Sequence, residues 1–281
     1  MAALENKIDF VALISVTNAN GNGDPLNGNR PRTDYNGMGE ISDVCIKRKL
    51  RNRMQDMGYA IFVQSDDRCD DGCKSLSDRA AAATKGIKDR SIYAQTACKK
   101  WMDVRSFGQV FAFKSTDKNN VSVGVRGPVS IHQAVSISPV EIEEMQITKS
   151  VNGETGEKRA SDTMGMNHFV RFGLYEIKGA INVQLAEKTG FTREDAAVIK
   201  ECLRTLFVND ASSARPEGSM EVVKLYWWEH SCKDGQYSSA KVHRSVHVTP
   251  KNAEGLPQCV DDYEITLDEL PGLTPEIIDG L

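Results

Sequence analysis

Residues 8–53 read IDFVALISVTNANGNGDPLNGNRPRTDYNGMGEISDVCIKRKLRNR, and this stretch decides the fold. Apolar side chains alternate along residues 8–16, and the opposite face of the segment is largely apolar too, which is typical of a central strand. A loop rich in Gly and Asn follows, and these residues reach positive φ at little cost, so that backbone N–H groups can turn towards an anion. Ser42 and Asp43, two residue types that cap helices well, then predict the start of a helix.

The predicted helix has one apolar face and one basic face. The apolar stripe, which would pack on a sheet, consists of Ile46, Leu50, Met54 and Met57. The basic side carries Lys47, Arg48 and Arg51, with Lys49 and Arg53 flanking them. A strand, an Asn/Gly loop and a basic helix N-terminus together indicate a groove for a phosphate backbone, and a solvated helix face above an ordinary loop is the alternative.

The composition is that of an ordinary globular protein. With 281 residues, of which 40% are hydrophobic and 26% charged, the chain can bury one large core with or without insertions. No apolar run approaches the ~20 residues of a membrane span, and the N-terminus lacks a signal-peptide pattern. The seven cysteines are spread along the chain and do not indicate a disulfide framework. We therefore expect a cytoplasmic, reduced protein without a membrane partner.

The charge is unevenly distributed along the chain. The net charge is −4, but residues 252–281 contain eight acidic residues and no Lys or Arg, so residues 1–251 carry +4. An acidic C-terminal tail on a basic body suits docking onto copies of the same chain or onto another basic partner. A solubilising tail is the alternative.

Residues 60–100 are polar, charged and rich in Ala, and we interpret them as an inserted, partly helical lobe with one helix near Leu76–Thr84. Cys69 and Cys73 lie in this lobe, but zinc sites usually show tighter pairs and a second pair, so we predict no metal. Residues 105–113 are weakly similar to the RNP1 pattern, and a core strand or turn is the favoured interpretation.

Residues 121–137 are predicted as a long strand interrupted at Gly127-Pro128. The polar face predicted after the break consists of Ser130, His132, Ser136 and Ser138. From residue 139 to 167 the core pattern is lost, and Asn152-Gly153 predicts a tight turn between two arms at residues 145–150 and 163–169. Apolar side chains on such an arm can wedge between bases, and a mobile insertion is the alternative.

Strand pattern returns at residues 168–184, a capping-box-like start at residues 192–195 opens a second amphipathic helix, and residues 220–229 form an aromatic strand. The resulting order is strand, helix, strand, strand, helix, strand. This is the βαββαβ order of ferredoxin-like and RNA-recognition domains. We therefore predict an α+β fold with an RRM-like palm, an inserted helical finger lobe and a protruding β-hairpin.

Several stretches together resemble one protein family. They are the loop and helix of residues 18–53, MDVRSFGQVFAF (102–113), VRGPVSIHQAVS (125–136) and NHFVRFGLY (167–175). These stretches resemble the backbone subunit of Cascade, the Cas-seven family of CRISPR surveillance complexes, and its type I-C branch in particular. The resemblance covers nearly the whole chain in the correct order.

The resemblance implies a hand-shaped, non-catalytic protein with an RRM-like palm, a finger lobe at residues 60–100 and a thumb hairpin at residues 139–168. Copies would stack head to tail along a CRISPR guide RNA, and each thumb would displace one nucleotide so that the guide pairs with a target DNA strand. A head-to-tail contact between copies does not close into a ring, so it gives a helical filament. The other implied partners are the capping or processing, large and small subunits of Cascade, and no cofactor is implied.

Carried onto this chain, the resemblance assigns guide binding to twelve residues. They are Asn18, Asn20, Arg30, Arg32, Lys47, Arg48, Arg51, Arg105, Arg126, Met164, Met166 and His168, with Met164 and Met166 as the wedges. A protein that serves any guide should grip phosphate and 2′-OH groups rather than base edges, which agrees with the groove indicated by the residues.

Three alternatives remain from the sequence. A backbone endoribonuclease like that of type III complexes would use an Asp in the loop after the first strand, where Asp24 and Asp34 lie. A guide-processing ferredoxin-like nuclease would need a paired general acid and base, and the five His show no pairing in the sequence. A scaffold that binds protein alone would leave the basic helix and the Asn/Gly loop unexplained.

Overall fold

The computed structural model describes residues 2–113, 122–148, 164–252 and 254–281. Its strands are β1 (Ile8–Ala19), β2 (Gly23–Asp24), β3 (Arg30–Pro31), β4 (Met38–Ile41), β5 (Gly108–Phe111), β6 (Val123–Arg126), β7 (Val129–Ile131), β8 (Ala134–Pro139), β9 (Ile142–Thr148), β10 (Met164–Ile181), β11 (Met220–Glu229), β12 (Val246–Pro250), β13 (Tyr263–Leu267) and β14 (Glu276–Asp279). Its α-helices are α1 (Asp43–Asp56), α2 (Leu76–Thr84), α3 (Arg90–Lys100), α4 (Met102–Phe107), α5 (Val183–Thr189), α6 (Arg193–Arg204) and α7 (Ser239–His243). None of the helices in these ranges is long and apolar enough to cross a bilayer.

A large antiparallel sheet organises the described residues, so the fold is a mixture of helices and strands as predicted. The strands lie in the order β14-β11-β1-β10-β8-β4, and β7 and β9 also pair with β10. β1 is central, as its two apolar faces predicted, because it pairs with β10 on one side and β11 on the other. It extends beyond the predicted residues 8–16, since pairing with β10 continues to Ala19 opposite Val170.

Helices cover one face of this sheet. Alternate β1 residues, among them Phe10 and Ile14, are buried against the apolar stripes of α1 and α6. The predicted α1 stripe is confirmed for its first three members, which are at most 1% exposed, whereas Met57 is 37% exposed. Met57 departs from the stripe because it is the C-terminal cap of α1 and no longer follows the helical period.

The C-terminal segment covers the opposite face. Val11 and Trp228 on that face pack with Val246 and Tyr263 of the β12–β13 hairpin. Residues 254–281 of the predicted acidic tail are therefore part of the fold, with β13 paired to β12 and β14 paired to β11. Two acidic residues of β14 hold basic residues of the body in salt bridges, Glu276–Lys200 at 2.6 Å and Asp279–Lys224 at 2.9 Å.

The inserted lobe has a separate aromatic core. The Phe62 ring lies 4.8 Å from the Trp101 ring and 5.0 Å from the Phe111 ring, measured between centroids. Helix α2 has the predicted bounds, but residues 102–107 form helix α4 where a strand or turn was predicted. The chain then reverses at Gly108, whose φ is 82° and whose place a side chain could not take without striking Val125. The RNP1-like segment is thus divided between a helix and a strand pair outside the main sheet.

The polar strand face predicted around residue 136 is wrong. The predicted break at Gly127-Pro128 is confirmed, but residues 132–133 interrupt the strand a second time and reverse the alternation. Ser136 and Ser138 are consequently buried, at 3% and 7% exposure. The Ser136 hydroxyl accepts a hydrogen bond from the Gly39 amide at 2.8 Å and donates to the Ser138 carbonyl, so it serves the sheet and is not open to solvent.

The two predicted hairpin arms pair with each other as β9 and β10. The pairing runs from Thr148 opposite Met164 to Ile142 opposite Val170. β10 then continues without interruption to Ile181 in the centre of the main sheet, so one arm is an extension of that sheet. The predicted turn at Asn152-Gly153 lies outside the described residues.

Candidate nucleic-acid interface

The loop between β1 and α1 folds into two tight turns. In the first, the Asp24 carbonyl accepts hydrogen bonds from the amides of Asn27 and Asn29 at 3.0 and 2.8 Å. Positive φ occurs at Asn18, Gly28, Asn29 and Gly37, the residue types from which it was expected. These two amides are therefore engaged in closing the turn and are not directed at a ligand.

Three buried polar atoms in this region lack a hydrogen-bond partner among the described residues. They are Oδ1 of Asn20, Nε of Arg32 and Nδ1 of His168. Asn20 and His168 are only 3% and 8% exposed. The other end of the Asn20 amide donates to the Asn29 carbonyl at 2.6 Å, which orients the free oxygen. An unpartnered buried polar atom costs about 1–3 kcal/mol, so a ligand that supplies the missing partners gains that free energy.

The first turn contacts the base of the β9–β10 hairpin. Arg30 of β3 forms a salt bridge with Glu144 of β9. Glu144 lies directly opposite His168 in the β9–β10 register. Residues directly opposite each other in an antiparallel pair point to the same face, so Arg30 reaches the face that carries His168.

The same hairpin face carries the two predicted wedges. Met164 and Met166 alternate with the neighbouring residues of β10 and therefore point to the same side as His168. Their exposures are 61% and 51%, whereas His168 is buried. The face thus passes from a buried imidazole at the hairpin base to exposed thioethers nearer its tip.

Asn22, which was not predicted, joins the first turn to helix α1. Its side-chain oxygen accepts from the amide and the hydroxyl of Ser42 at 2.9 and 2.8 Å, and its carbonyl accepts from the Arg32 amide at 3.1 Å. Ser42 is the N-cap of α1, as predicted. The signal in the sequence was an Asn in the loop three residues after the end of β1.

The basic residues of α1 mostly hold partners within the protein. Lys47 pairs with Asp43 at 2.9 Å, and this hydrogen bond keeps the pKa of the Asp43 carboxyl below its usual range. Arg48 donates to the Val63 carbonyl. Arg51 donates to Asp103 at 2.9 Å. These contacts point the guanidinium groups towards the inserted lobe.

Arg105 and Arg126 lie on the lobe side, apart from the first turn. Arg105 donates twice to Asp195, at 3.0 and 2.7 Å, and lines a cleft of about 400 Å³ together with Lys99 and Lys188. Arg126 is exposed at the end of β6.

The structure therefore divides the twelve predicted residues into groups. Four lie around the first turn and the hairpin base, namely Asn20, Arg30, Arg32 and His168, and Met164 and Met166 continue the same hairpin face away from the base. Asn18 is exposed at the end of β1, Lys47, Arg48 and Arg51 lie on α1 beyond Asn22, and Arg105 and Arg126 lie on the lobe.

The loop aspartates that a nuclease would use build the turns. Asp24 Oδ1 accepts from the Leu26 amide at 3.1 Å. Asp34 Oδ1 accepts from the amides of Asn36 and Met38 at 2.8 and 2.9 Å. Within the described ranges, no three side chains of His, Cys, Asp or Glu converge as a metal-dependent centre would require.

A buried Asp–His pair exists that the sequence did not reveal. Asp9 on β1 accepts from His230 and from Lys7, both at 2.8 Å, and Asp9 and His230 are 0% and 1% exposed. The other nitrogen of His230 accepts from the Gln236 amide at 2.9 Å, so the proton lies on Nε2, facing Asp9. Because solvent does not reach the pair, it anchors the chain after β11 to the central strand and offers no acid or base to a substrate.

Comparison with known proteins gives relatives of one kind. A chain described as CRISPR-associated protein Cas7 from Haloferax volcanii is 24% identical over 292 residues, covering 98% of this chain and 85% of the relative. A chain of a solved "CRISPR RNA-guided surveillance complex, pre-nicking" superposes with a TM-score of 0.50 at 16% identity, over 84% of this chain and 81% of that one. A chain of a second "CRISPR RNA-guided surveillance complex" gives 0.42 at 16% identity, over 85% and 74%.

At 16% identity, the structure that superposes with a TM-score of 0.50 supports the fold alone. The decisive comparison is a family model, that of CRISPR-associated protein Cas7, which matches residues 6–268 of the 281. The predicted resemblance to this family is thereby confirmed, and the chain belongs to the Cas7 family of CRISPR-associated proteins.

Proposed function

We propose that the chain is a non-catalytic backbone subunit of a Cascade complex, of the type I-C branch, that binds the guide RNA. The observation that carries the proposal is the set of unpartnered buried atoms of Asn20, Arg32 and His168. A free amide oxygen suits a 2′-OH donor, and a free guanidinium N–H suits a phosphate oxygen. Both groups occur at every nucleotide, so this chemistry fits a protein that must accept any guide sequence.

The strand arrangement supports an RRM-like palm as part of this proposal. β11, β1, β10 and β8 are neighbours in that order, all antiparallel, with α1 and α6 on one face. RNA-recognition domains stack bases on the opposite, open face of the sheet. Here the C-terminal segment covers that face, so we place the RNA at the first turn and the hairpin base instead.

The remaining assignments follow from the same proposal. Residues 60–100 are the finger lobe, and residues 139–168 are the thumb, whose Met164 and Met166 displace a nucleotide of the guide. Copies stack head to tail along the RNA into a filament, alongside the capping or processing, large and small subunits, and the exposed guide segments pair with target DNA. The seven cysteines are all free thiols, which suits a reducing compartment, and we place the protein in the cytoplasm.

Equilibrium binding of purified protein to single-stranded RNA of several unrelated sequences tests the contact chemistry. Arg32→Ala should weaken binding to every sequence alike and lower the slope of log K against log salt by about one unit, because one phosphate contact is lost. Arg193→Ala is the matched control, since that side chain is 68% exposed and lies on α6, away from the first turn.

Two results would contradict the proposal. If Arg32→Ala and Arg193→Ala have the same affinity and salt slope as the unaltered protein, Arg32 holds no phosphate. If the RNA is cleaved on a denaturing gel and Asp34→Ala abolishes the cleavage, the chain is an endoribonuclease and not a passive backbone.

A further inference from the structure

Tyr35 lies at the tip of the second turn of the loop, at residues 34–38, with its side chain wholly in solvent. Its exposure is 109% of the reference value, so the ring has no packing partner. Among the residues that the structure describes, no other aromatic side chain is exposed to a similar degree. Exposure of one aromatic ring is common in itself, so a role for Tyr35 depends on the turn that presents it and on the residues around it.

The turn holds the backbone of Tyr35 in a defined position. The Asp34 carboxylate accepts from the amides of residues 36 and 38, the Asp34 amide donates to the Met38 carbonyl at 2.9 Å, and the Gly37 amide donates to the Asp34 carbonyl at 3.1 Å. The Gly37 carbonyl in turn accepts from the Val140 amide at 2.9 Å, at the start of the hairpin. The backbone that presents Tyr35 is therefore ordered before any partner binds, which reduces the entropic cost of binding.

Tyr35 is close to the proposed RNA contacts. It follows Arg32 by three residues, so their Cα atoms are at most about 11 Å apart. The hydrogen bond to Val140 fixes the turn at the hairpin base, where the face with His168, Met166 and Met164 begins. A phosphate at Arg32 would thus bring its own or an adjacent base within reach of the ring.

We propose that Tyr35 is a stacking platform for one unpaired base of the bound RNA, an inference that rests on the proposed function. The surroundings favour a base over a protein partner, because the exposed neighbours Thr33 and Asn36 are polar. An aromatic anchor of a protein interface sits within a ring of well-packed contacts. A base needs only one flat face, and every base has one, so the contact is independent of sequence.

The test combines changes in the protein with changes in the RNA. Affinity is measured for single-stranded RNA and for an oligomer of the same length in which abasic ribose units replace the nucleosides. Tyr35→Ala should weaken binding to RNA by about 5- to 150-fold, the usual range for loss of one stacked base. It should leave the salt slope unchanged, because no phosphate contact is lost.

Three further results are expected. Tyr35→Phe should bind RNA within about twofold of the unaltered protein, since the ring is retained. Tyr35→Ala and the unaltered protein should bind the abasic oligomer equally. Ile92→Ala, which truncates a 55% exposed side chain on α3, is the matched control and should leave both affinities unchanged.

The outcomes separate this inference from the function on which it rests. Equal losses by Tyr35→Ala on RNA and on the abasic oligomer, or no loss on either while Arg32→Ala still weakens binding, would overturn the stacking role alone. Loss of self-association of RNA-free protein on Tyr35→Ala, with RNA affinity intact, would assign the ring to a protein contact. If the unaltered protein binds neither oligomer, the proposed function fails and the inference with it.

Discussion

Replacing Arg51 by Ala separates two roles for the basic face of α1. The sequence predicts that Arg51 contacts phosphate, and on that prediction its loss should weaken RNA binding without affecting the fold. In the structure its guanidinium holds the carboxylate of Asp103, which is 1% exposed, and lies 5.2 Å from the centre of the Phe107 ring. On this geometry we expect Arg51→Ala to lower the free energy of unfolding.

The size of the decrease follows from the buried charge of Asp103, which Arg51→Ala leaves without its partner. Removing one partner of a buried ion pair typically costs 3–5 kcal/mol, because the other charge remains buried. Asp103 retains hydrogen bonds from the amides of Phe62 and Val63 at 2.7 and 3.1 Å, which places the cost at the lower end of that range. The lost cation–π contact adds about 0.5–1 kcal/mol. We expect a decrease of about 3.5–4 kcal/mol in total.

Urea denaturation at neutral pH measures this decrease, and RNA titration of the folded variant measures affinity. Lys47→Ala on the same helix is the matched control, because its pair with Asp43 is partly exposed, at 24% and 41%, and should contribute less than about 1 kcal/mol. Adding Asp103→Asn to Arg51→Ala should restore part of the stability, since it removes the uncompensated charge. Stability unchanged in Arg51→Ala, together with RNA affinity reduced at least tenfold, would refute the structural role.

The remaining predictions concern pH, packing and the second turn. Burial lowers the pKa of His243 below its usual 6.5, so the unfolded chain binds this proton more readily. The free energy of unfolding should therefore fall as pH drops below 6.5, and His243→Gln should reduce that slope in urea titrations from about pH 7 to pH 5. Gly179→Ala should lower the free energy of unfolding by about 1–3 kcal/mol, because the Phe10 ring occupies the place of the new methyl group. Gly124→Ala is the control and should change the free energy of unfolding little, because nothing lies within 4 Å of the new methyl group. Equal effects of the two substitutions would contradict this packing argument. Asp34→Ala should lower the free energy of unfolding by about 1 kcal/mol, because two amides of the turn lose their hydrogen-bond acceptor. Asp34→Asn keeps an acceptor and should lower it less. Equal losses in urea titrations would show that the carboxylate does not hold the turn.

Local signals in the sequence were sufficient for several elements. Helix α1 begins at the predicted cap, and α2 has the predicted bounds, because capping residues and Ala-rich composition act within one or two turns. β1 was identified as central because both of its faces are apolar, and both are covered in the structure. The two arms of the hairpin were predicted because the core pattern of apolar residues is lost around a turn signal.

Features that depend on the packing of distant segments were not predictable. Arg51 and Asp103 are 52 positions apart, and only the docking of the lobe on α1 brings them together. Asp9 and His230 are 221 positions apart and meet because β1 and β11 are neighbours. The adjacent polar residues His132 and Gln133 break the alternation, but this local signal does not show that the strand is interrupted there and that the faces of β8 are reversed. The sequence pattern shows where Lys and Arg side chains cluster, but it does not show which of them already form a salt bridge or hydrogen bond within the protein.

The most direct test of the central claim is the mass of complexes formed on RNAs of increasing length, followed by a denaturing gel. A backbone subunit should add copies in equal steps as the RNA lengthens, on any sequence, and leave the RNA intact. A single copy per RNA regardless of length, or RNA that is cut by the protein, would contradict the account.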